Sequence, residues 1–488
     1  MESTRVIEPV RASMVAAVDL PATGVVEVRN PARVDEVVGT YPKIGVDAVD
    51  AIVEVAEQAQ PAWAALSPQE RFDAIAKAVE SVEVTGIDEL LTRENGKILA
   101  EAQRELQYMS FPVKFLAPHV EWLTEGEDLG DSGMHHSTIY RDPFGVVGII
   151  APWNNPIGTS MLAVAPALLG GNAVVVHFPA TAPLSALAVY RQMAAALPAG
   201  LLSVISSPDT AVAQAVVEHP RIRKVHFTGS TTVGSLIAIE AAPTLAATTL
   251  ELGGNDAGIV LDDALDDPAI YPKLVRAAFG VEGQACVALK RLYVPAARVA
   301  EVVEGLGAVL KDVVAGDGMD PASTMGPVHT AAARERVQGL VESARAGGAE
   351  VHEFGTMAAD PEQGHFLLPT VVSNIAQDAD LVQEEQFGPT LPVIGYETVD
   401  EAVAYANDSE YGLGGSVWSN DIPRASAIAR RLEAGMTWIN AHSGAGIDGR
   451  VPWGGVKRSG VGRGGANRGG LEAFTEPHAV IWPSGQRP

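Results

Sequence analysis

The stretch Pro143-Phe-Gly-Val-Val-Gly-Ile-Ile-Ala-Pro-Trp-Asn-Asn-Pro156, continued through Gly170-Gly-Asn-Ala-Val-Val-Val176, contains no charged side chain. It is long enough to span a bilayer. Four prolines, Asn154, Asn155 and the Gly170-Gly171-Asn172 turn interrupt it. In lipid each break would leave backbone groups without partners, so the run reads instead as part of a buried core. The reading is a buried strand over Val146 to Ile150, a functional loop, a helix around Met161 to Leu169, and a second strand over Ala173 to Val176.

Working outward, the same alternation recurs. A helical segment over Ser185 to Ala196 is followed by a strand at Lys224-Val-His-Phe227, a helix over Thr232 to Ala242 and a strand over Thr248 to Glu251. This is the rhythm of a doubly wound parallel sheet, which binds ligands at the carboxyl ends of its strands. The second half repeats it, with helices over Tyr271 to Phe279, Ala300 to Val314 and Ala331 to Ala346 and a strand at Arg291 to Val294, and predicts a second α/β domain. Alternation at Ser137 to Tyr140 and again over Ala473 to Trp482 predicts two strands that pair as a small separate sheet.

The 488 residues are 47% hydrophobic and 19% charged, ordinary globular usage that excludes a disordered or fibrous chain. Acidic residues outnumber basic ones 60 to 34, a net charge of −26 that repels phosphate backbones and anionic membranes. Nucleic acid and membrane are therefore excluded as expected partners. The two small basic clusters read as the solvated start of a strand, Arg221 to Lys224, and as a loop, Lys457 to Arg468. Glu2, Arg5, Glu8, Arg11 and Asp19 leave no apolar signal-peptide core in the first twenty residues, and one cysteine in the chain fits a reducing compartment, so the expected location is cytoplasmic. The eleven histidines show no ligand spacing, and no metal is expected.

Three segments carry candidate chemistry. The only cysteine, Cys286, lies in Gly283-Gln-Ala-Cys286, with Lys290 the first cation after it. Taken alone it is either a small buried hydrophobe or a nucleophile, and packing is the default. Glu251 ends an apolar strand just before Gly253 and Gly254. It is either an ordinary strand-end carboxylate or a base whose pKa is raised by partial burial. Asn154 sits between Pro152 and Pro156. It is either part of a plain Asn-Pro turn or an amide donor held rigidly after a strand.

These segments occur in order with Phe227-Thr-Gly-Ser-Thr-Thr-Val-Gly234, Glu384-Glu-Gln-Phe-Gly-Pro389, Pro452-Trp-Gly-Gly-Val-Lys-Arg-Ser-Gly-Val-Gly-Arg463 and Leu471-Glu-Ala-Phe-Thr-Glu476. In that order and spacing the chain resembles the aldehyde dehydrogenase superfamily over nearly its whole length. The resemblance implies two doubly wound α/β domains plus a small protruding oligomerisation sheet. Residues 1–124 and 144–252 would form the cofactor-binding domain and 253–454 the catalytic domain. Segments 125–143 and 473–488 would serve oligomerisation, with 455–472 connecting. It further implies a homodimer or homotetramer acting on a small-molecule aldehyde.

The resemblance also assigns roles. Cys286 matches the nucleophile, Asn154 the oxyanion donor together with the Cys286 backbone N–H, and Glu251 the base that activates water to hydrolyse a thioester. Ile150, Ala151, Pro152 and Trp153 match the cofactor groove. Gly229 and Ser230 match the pyrophosphate site, where a simple helix N-cap is equally consistent. Leu252, Glu385 and Phe387 match positions near the nicotinamide ribose and ring. Asn155, Thr159, Leu162, Ala285, Val287, His442, Ser443 and Trp453 are candidate substrate-lining residues, with His442 also readable as a structural loop histidine.

The adenosine end departs from the family pattern. Many members carry Lys-Pro-Ser-Glu after the Val-Val-Val strand, whereas this chain has His177, Phe178, Pro179 and Ala180. The ribose-binding carboxylate that repels a 2′-phosphate is absent, which leaves NADP open, while a mostly neutral His177 attracts phosphate less than lysine, so NAD is the leading cofactor expectation. Alternatives are a CoA-acylating relative, against which Glu251 argues, and a catalytically silent ligand-binding member.

Overall fold

The computed structural model describes residues 10–18, 20–443 and 448–486. The charge-free stretch forms the strand Val146–Ile150, the helix Pro156–Leu169 and the strand Ala173–Phe178. The helix begins five residues before the expected Met161, because Pro156 occupies its first turn, where a fixed φ and a missing N–H cost nothing. Both strands are buried along their full length, so they read as continuous apolar runs rather than as alternation.

These strands lie at the centre of a sheet whose order is Gly460–Val461, Ala247–Glu251, Ile222–Thr228, Val146–Ile150, Ala173–Phe178, Leu202–Ser206. Every neighbouring pair is parallel except the Gly460–Val461 edge. The chain winds outward from Val146–Ile150 to Leu202–Ser206, then crosses back to build the other side from Ile222–Thr228. The boundary between Val146–Ile150 and Ile222–Thr228 is thus a topological switch point, where loops at the carboxyl ends diverge and leave a crevice.

A second sheet has the order Glu350–Glu353, Thr370–Ser373, Thr390–Tyr396, Leu289–Pro295, Asp256–Val260, Gly414–Trp418, Met436–Ile439, antiparallel only at its first pair. A third, antiparallel sheet joins Glu127–Asp131, His135–Pro143 and Thr475–Pro483, and its long register runs from Thr475 opposite Pro143 to Pro483 opposite His135. The expected pairing of the two alternating segments is therefore observed, with the first strand longer than the alternation marked and the second shifted to Thr475–Pro483. The expected doubly wound α/β architecture is observed in both larger sheets. Separate apolar cores underlie them, one around Trp63, Leu168, Val175 and Phe474, the other around Leu274, Leu292, Leu391 and Trp418.

Two readings of basic clusters need correction. Arg221 and Arg223 do face outward to Glu57 and Glu476, but Lys224 does not: it is 3% exposed and donates to Thr249 Oγ1 at 2.6 Å. Strand periodicity puts Ile222 and Lys224 on the covered face and Arg223 on the open one. Nor is Lys457 to Arg468 simply a loop. It contains the turn Lys457–Ser459 and the edge strand Gly460–Val461, and Arg468 opens the helix Arg468–Ala473. Among the described residues no helix is long and apolar enough to cross a membrane, and no group of three metal-ligating side chains is present.

Asn172 ties three of these parts together. Fully buried, it accepts from Gly145 N at 3.1 Å and donates to Ala167 O at 2.8 Å and Phe474 O at 2.9 Å. Asn172→Ala strands those backbone groups and is expected to cost about 2–4 kcal/mol. The midpoint of urea unfolding followed by tryptophan fluorescence should fall accordingly, and an unchanged midpoint contradicts this role.

Candidate active site

Ile150 stands opposite both His177 and Phe227, so the carboxyl ends of three adjacent parallel strands converge at the switch point. Ile150, Ala151 and Pro152 are buried there, and Trp153 is half-buried. The Trp153 indole stacks on the His329 ring, centroids 4.3 Å apart, and meets Phe387 edge-on at 5.7 Å. Gly229 donates its N–H to Glu251 O at 3.0 Å, and a Cβ at that position would strike the Phe227 ring. Ser230 caps the helix Thr231–Ala241 by accepting from Val233 N. Leu252 packs against Gly234, whose missing side chain makes the room. An exposed helix start at the switch point of a parallel sheet suits the pyrophosphate of a dinucleotide, because free N–H groups and the helix dipole both favour anionic oxygens.

At the other end of this groove His177 is buried with Nε2 unpartnered, and burial pushes its pKa down to about 4, so the ring is neutral. The Ala180 carbonyl accepts from Tyr41 Oη at 3.3 Å.

Cys286 follows a tight turn, Gly280–Gly283, in which Val281 and Glu282 both adopt left-handed φ values of 51° and 53°. Such a pair is strained without glycine and needs fixed partners. Glu101 Oε1 accepts from Val281 N at 2.8 Å, Glu282 Oε1 from Gly326 N at 2.9 Å, and Gln284 Oε1 from His329 N at 2.9 Å. The side-chain amide of Asn154 donates to Gln284 O at 2.8 Å across 130 residues of sequence, which brings the Asn154 loop against the cysteine turn. That loop is fixed from below by Lys97, fully buried, whose Nζ donates to Glu105 at 2.6 Å, Asn154 O at 2.7 Å and Asn155 Oδ1 at 3.0 Å. Glu105 in turn accepts from Ile157 N and Gly158 N.

Cys286 is half-buried, and burial pushes its thiol up to about 12, opposed by the Lys290 ammonium. Lys290 Nζ donates to Ala285 O at 2.7 Å and Cys286 O at 2.8 Å. Glu385 turns its carboxylate inward, accepting from Gly254 N at 3.0 Å and lying 3.6 Å from Lys290 Nζ.

Glu251 ends its strand 8% exposed with both carboxylate oxygens unpartnered. Burial pushes its pKa up to about 8, opposed by the Arg463 charge. A Cβ at Gly454 or Gly464 would lie 3.1 Å or 3.4 Å from Glu251 Oε1, so these two glycines leave the space the carboxylate occupies. Lys224, His226 and Thr249 line the same face of the two adjoining strands. Burial pushes Lys224 down to about 7 and, with help from Lys224, His226 to about 3.

Of the candidate substrate-lining residues, Asn155, Thr159 and Leu162 fall on one face of the Pro156–Leu169 segment, the only partly exposed face of an otherwise buried helix. Val287 packs with Leu413 and Met436 in an apolar cluster against which Cys286, Trp438 and Trp453 rest. Ala285 is half-buried beside them. His442 takes the structural of its two readings: Nδ1 lies 2.8 Å from Ser416 Oγ and Nε2 3.5 Å from Asp256 Oδ2, both side chains of the second sheet. Ser443 has a left-handed φ of 58° and adjoins residues 444–447, which lie outside the described residues.

No local pattern marks Lys97, Gln284 or Arg463 as site residues, since each acts through a contact made only in the fold. Trp438 lies in a strand-like Met436-Thr-Trp-Ile439 run that period-2 alternation marks.

Residues 20–480 match the aldehyde dehydrogenase family model. The chain is 37% identical to geranial dehydrogenase of Castellaniella defragrans, covering 88% of this chain and 89% of that protein. It is 33% identical to an Escherichia coli succinate-semialdehyde dehydrogenase [NADP(+)], covering 89% of each. A crystal structure of betaine aldehyde dehydrogenase from Staphylococcus aureus in complex with NAD+ superposes with a TM-score of 0.89 at 27% identity, covering 96% of this chain and 94% of that one. With the switch-point crevice and the assembled cysteine, asparagine and glutamate already in place, these matches establish that the chain belongs to the aldehyde dehydrogenase family, enzymes that oxidise aldehydes with NAD(P).

Proposed function

We propose that this chain oxidises an aldehyde to the carboxylic acid through a thioester on Cys286 that Glu251-activated water hydrolyses. The observation that supports it best is the Asn154 side chain bound to Gln284 O, two residues before the only cysteine. It sets an amide with one further N–H beside the thiol.

A planar aldehyde carbon releases no hydride until a nucleophile adds to it. The Cys286 thiolate adds, and the C=O electron pair moves onto oxygen, where the Asn154 amide and the Cys286 backbone N–H donate to the oxyanion. Bound NAD(P)+ supplies the hydride acceptor at this point. Collapse of the oxyanion with loss of hydride leaves the acyl group on sulfur. Glu251 then takes a proton from a water that attacks the acyl carbon, the C–S bond breaks, and the thiolate and carboxylic acid part. The unpartnered oxygens of Glu251 are what a base needs, since no protein donor competes with the water.

The residues expected to hold the cofactor are Ile150 to Trp153, His177, Gly229, Ser230, Leu252, Glu385 and Phe387, in the unit formed by 1–124 and 144–252 and along its boundary with the catalytic unit 253–454. Neither a carboxylate nor a cation stands at Ala180 and neutral His177, so selection against the 2′-phosphate is weak and NAD and NADP both serve, with NAD placed first. The three-stranded sheet of Glu127–Asp131, His135–Pro143 and Thr475–Pro483, with Leu129, Met134 and Ile481 exposed, is assigned to joining copies into a homodimer or homotetramer.

Reduced-cofactor formation across aliphatic and aromatic aldehydes, without CoA, tests the reaction. Cys286→Ser should lose turnover by at least about 10³-fold while the protein stays folded; retained activity excludes the nucleophile role. In Glu251→Gln the first-turnover burst of reduced cofactor should persist while steady-state turnover slows by about 10²–10⁴-fold. Because the base must be ionised and its pKa lies near 8, wild-type deacylation should rise about tenfold per pH unit below that value and level off above it. A pH-independent deacylation rate across neutrality contradicts Glu251 as the base.

A further inference from the structure

Lys290 is unexplained by the reaction as written, yet it is 3% exposed and sits directly beneath the nucleophile. Two of its N–H groups go to the carbonyls of Ala285 and Cys286, and its remaining charged neighbour is Glu385 at 3.6 Å. A buried ammonium is costly unless its charge is used or paired. Here the pairing is loose, because Glu385 Oε1 is itself engaged by Gly254 N at 3.0 Å.

The charges that act on the thiol are few. Glu385, Asp256 and Glu251 all disfavour the thiolate, and Lys290 favours it. Asp256 is committed elsewhere: its Oδ1 accepts from Gly414 N and its Oδ2 faces His442. Glu251 lies against Gly454 and Gly464. Lys290 and Glu385 therefore form the adjustable part of the field, one charge of each sign, Lys290 held by the Ala285 and Cys286 carbonyls and Glu385 by Gly254 N.

We propose that Lys290 is the positioning residue that sets the acidity of the Cys286 thiol in the free enzyme, with Glu385 as the counter-charge that moderates it. The inference rests on Cys286 being the nucleophile. Lys290 makes no contact with substrate and acts through the sulfur, stabilising the thiolate by its field and holding the Ala285 and Cys286 carbonyls turned away from it. Removal of the two partners has opposite consequences: without Lys290 the thiolate forms less readily, and without the Glu385 charge it forms more readily.

Because Cys286 is the only cysteine, alkylation by iodoacetamide reports on it alone. The rate is measured on purified free enzyme at a series of pH values, with product identified by intact mass, in wild type, Lys290→Met and Glu385→Gln. Below its midpoint the rate follows the thiolate fraction. At fixed pH, Lys290→Met should alkylate about tenfold more slowly and Glu385→Gln about tenfold faster, a shift of about one pH unit in each direction. Loss of packing alone moves both variants the same way. A shift of the same sign in both, or unchanged rates, overturns the proposal. If Lys290→Met does not fold, Glu385→Gln decides, and a rate equal to or below wild type overturns it. Turnover by Cys286→Ser instead removes the nucleophile reading, an outcome these alkylation rates do not touch.

Discussion

A single buried ammonium organises the catalytic side of the crevice. Lys97 reaches the core with no solvent contact and is satisfied by Glu105, by the Asn154 carbonyl and by the Asn155 side chain. Glu105 spends its other oxygen on the first free N–H groups of the Pro156–Leu169 helix. The loop that carries Asn154 is thereby pinned at one end by Lys97 and at the other by Glu105 of the helix Leu99–Tyr108, both far from it in sequence. Taking two charges out of water is unfavourable, and a well-packed apolar pair of the same volume would hold the helices together as well or better. What the apolar pair would not supply is a direction for the loop: three donors on one nitrogen fix the Asn154 backbone, and the Asn154 amide then fixes the cysteine turn through Gln284.

From there the constraint passes into the second domain. The turn before Cys286 adopts a conformation that Val281 and Glu282 disfavour, and it persists because Glu101 and the Gly326–His329 loop supply partners from two separate segments. Asn95, two residues before Lys97, donates to Trp153 O and accepts at its own carbonyl from His329. The Trp153 loop, the Asn154 side chain and the Cys286 turn therefore share one polar scaffold, even though they adjoin different sheets.

How much of this was readable beforehand follows from the range of each signal. The central βαβ unit was legible because its strands are buried on both faces and leave continuous β-branched runs, and because Pro156 and Gly170 punctuate the helix. The long third-sheet pairing was legible from alternation at Ser137 to Tyr140 and again over Ala473 to Trp482. The hairpin Gly24–Asn30 and Arg33–Lys43 and the helices before residue 125 left weaker marks, although Ser67 and Glu70 form a capping box with a recognisable spacing. Cys286, Glu251 and Asn154 were each ambiguous alone and became specific only through order and spacing with the other motifs. Lys224 was misread because its neighbours Arg221 and Arg223 are solvated and charge in a row looks like a surface; period-2 geometry turns every second residue inward regardless of its charge. Lys97, Gln284 and Lys290 act through backbone carbonyls brought close by folding, and no local pattern encodes such a contact.

Burial acts with the same sense on Cys286, Glu251, Lys224 and His226. It raises the Cys286 thiol and the Glu251 carboxyl and lowers Lys224 and His226, in each case favouring the neutral form. For the proposed reaction, a thiol and a carboxyl that rest neutral suit charges that appear in sequence: a thiolate, an oxyanion, then a thiolate again. Each would be stabilised where it forms by a donor or charge already in position. Glu251 illustrates the compromise. Placed in a more polar setting it would ionise readily and be a weaker base, whereas a pKa near neutrality lets it take a proton from water and still release it within a turnover. The same burial that makes the thiol harder to ionise makes its thiolate, once formed, a less solvated nucleophile. For the proposed nucleophile the enclosing fold therefore calls for a nearby positive charge, the part we propose for Lys290.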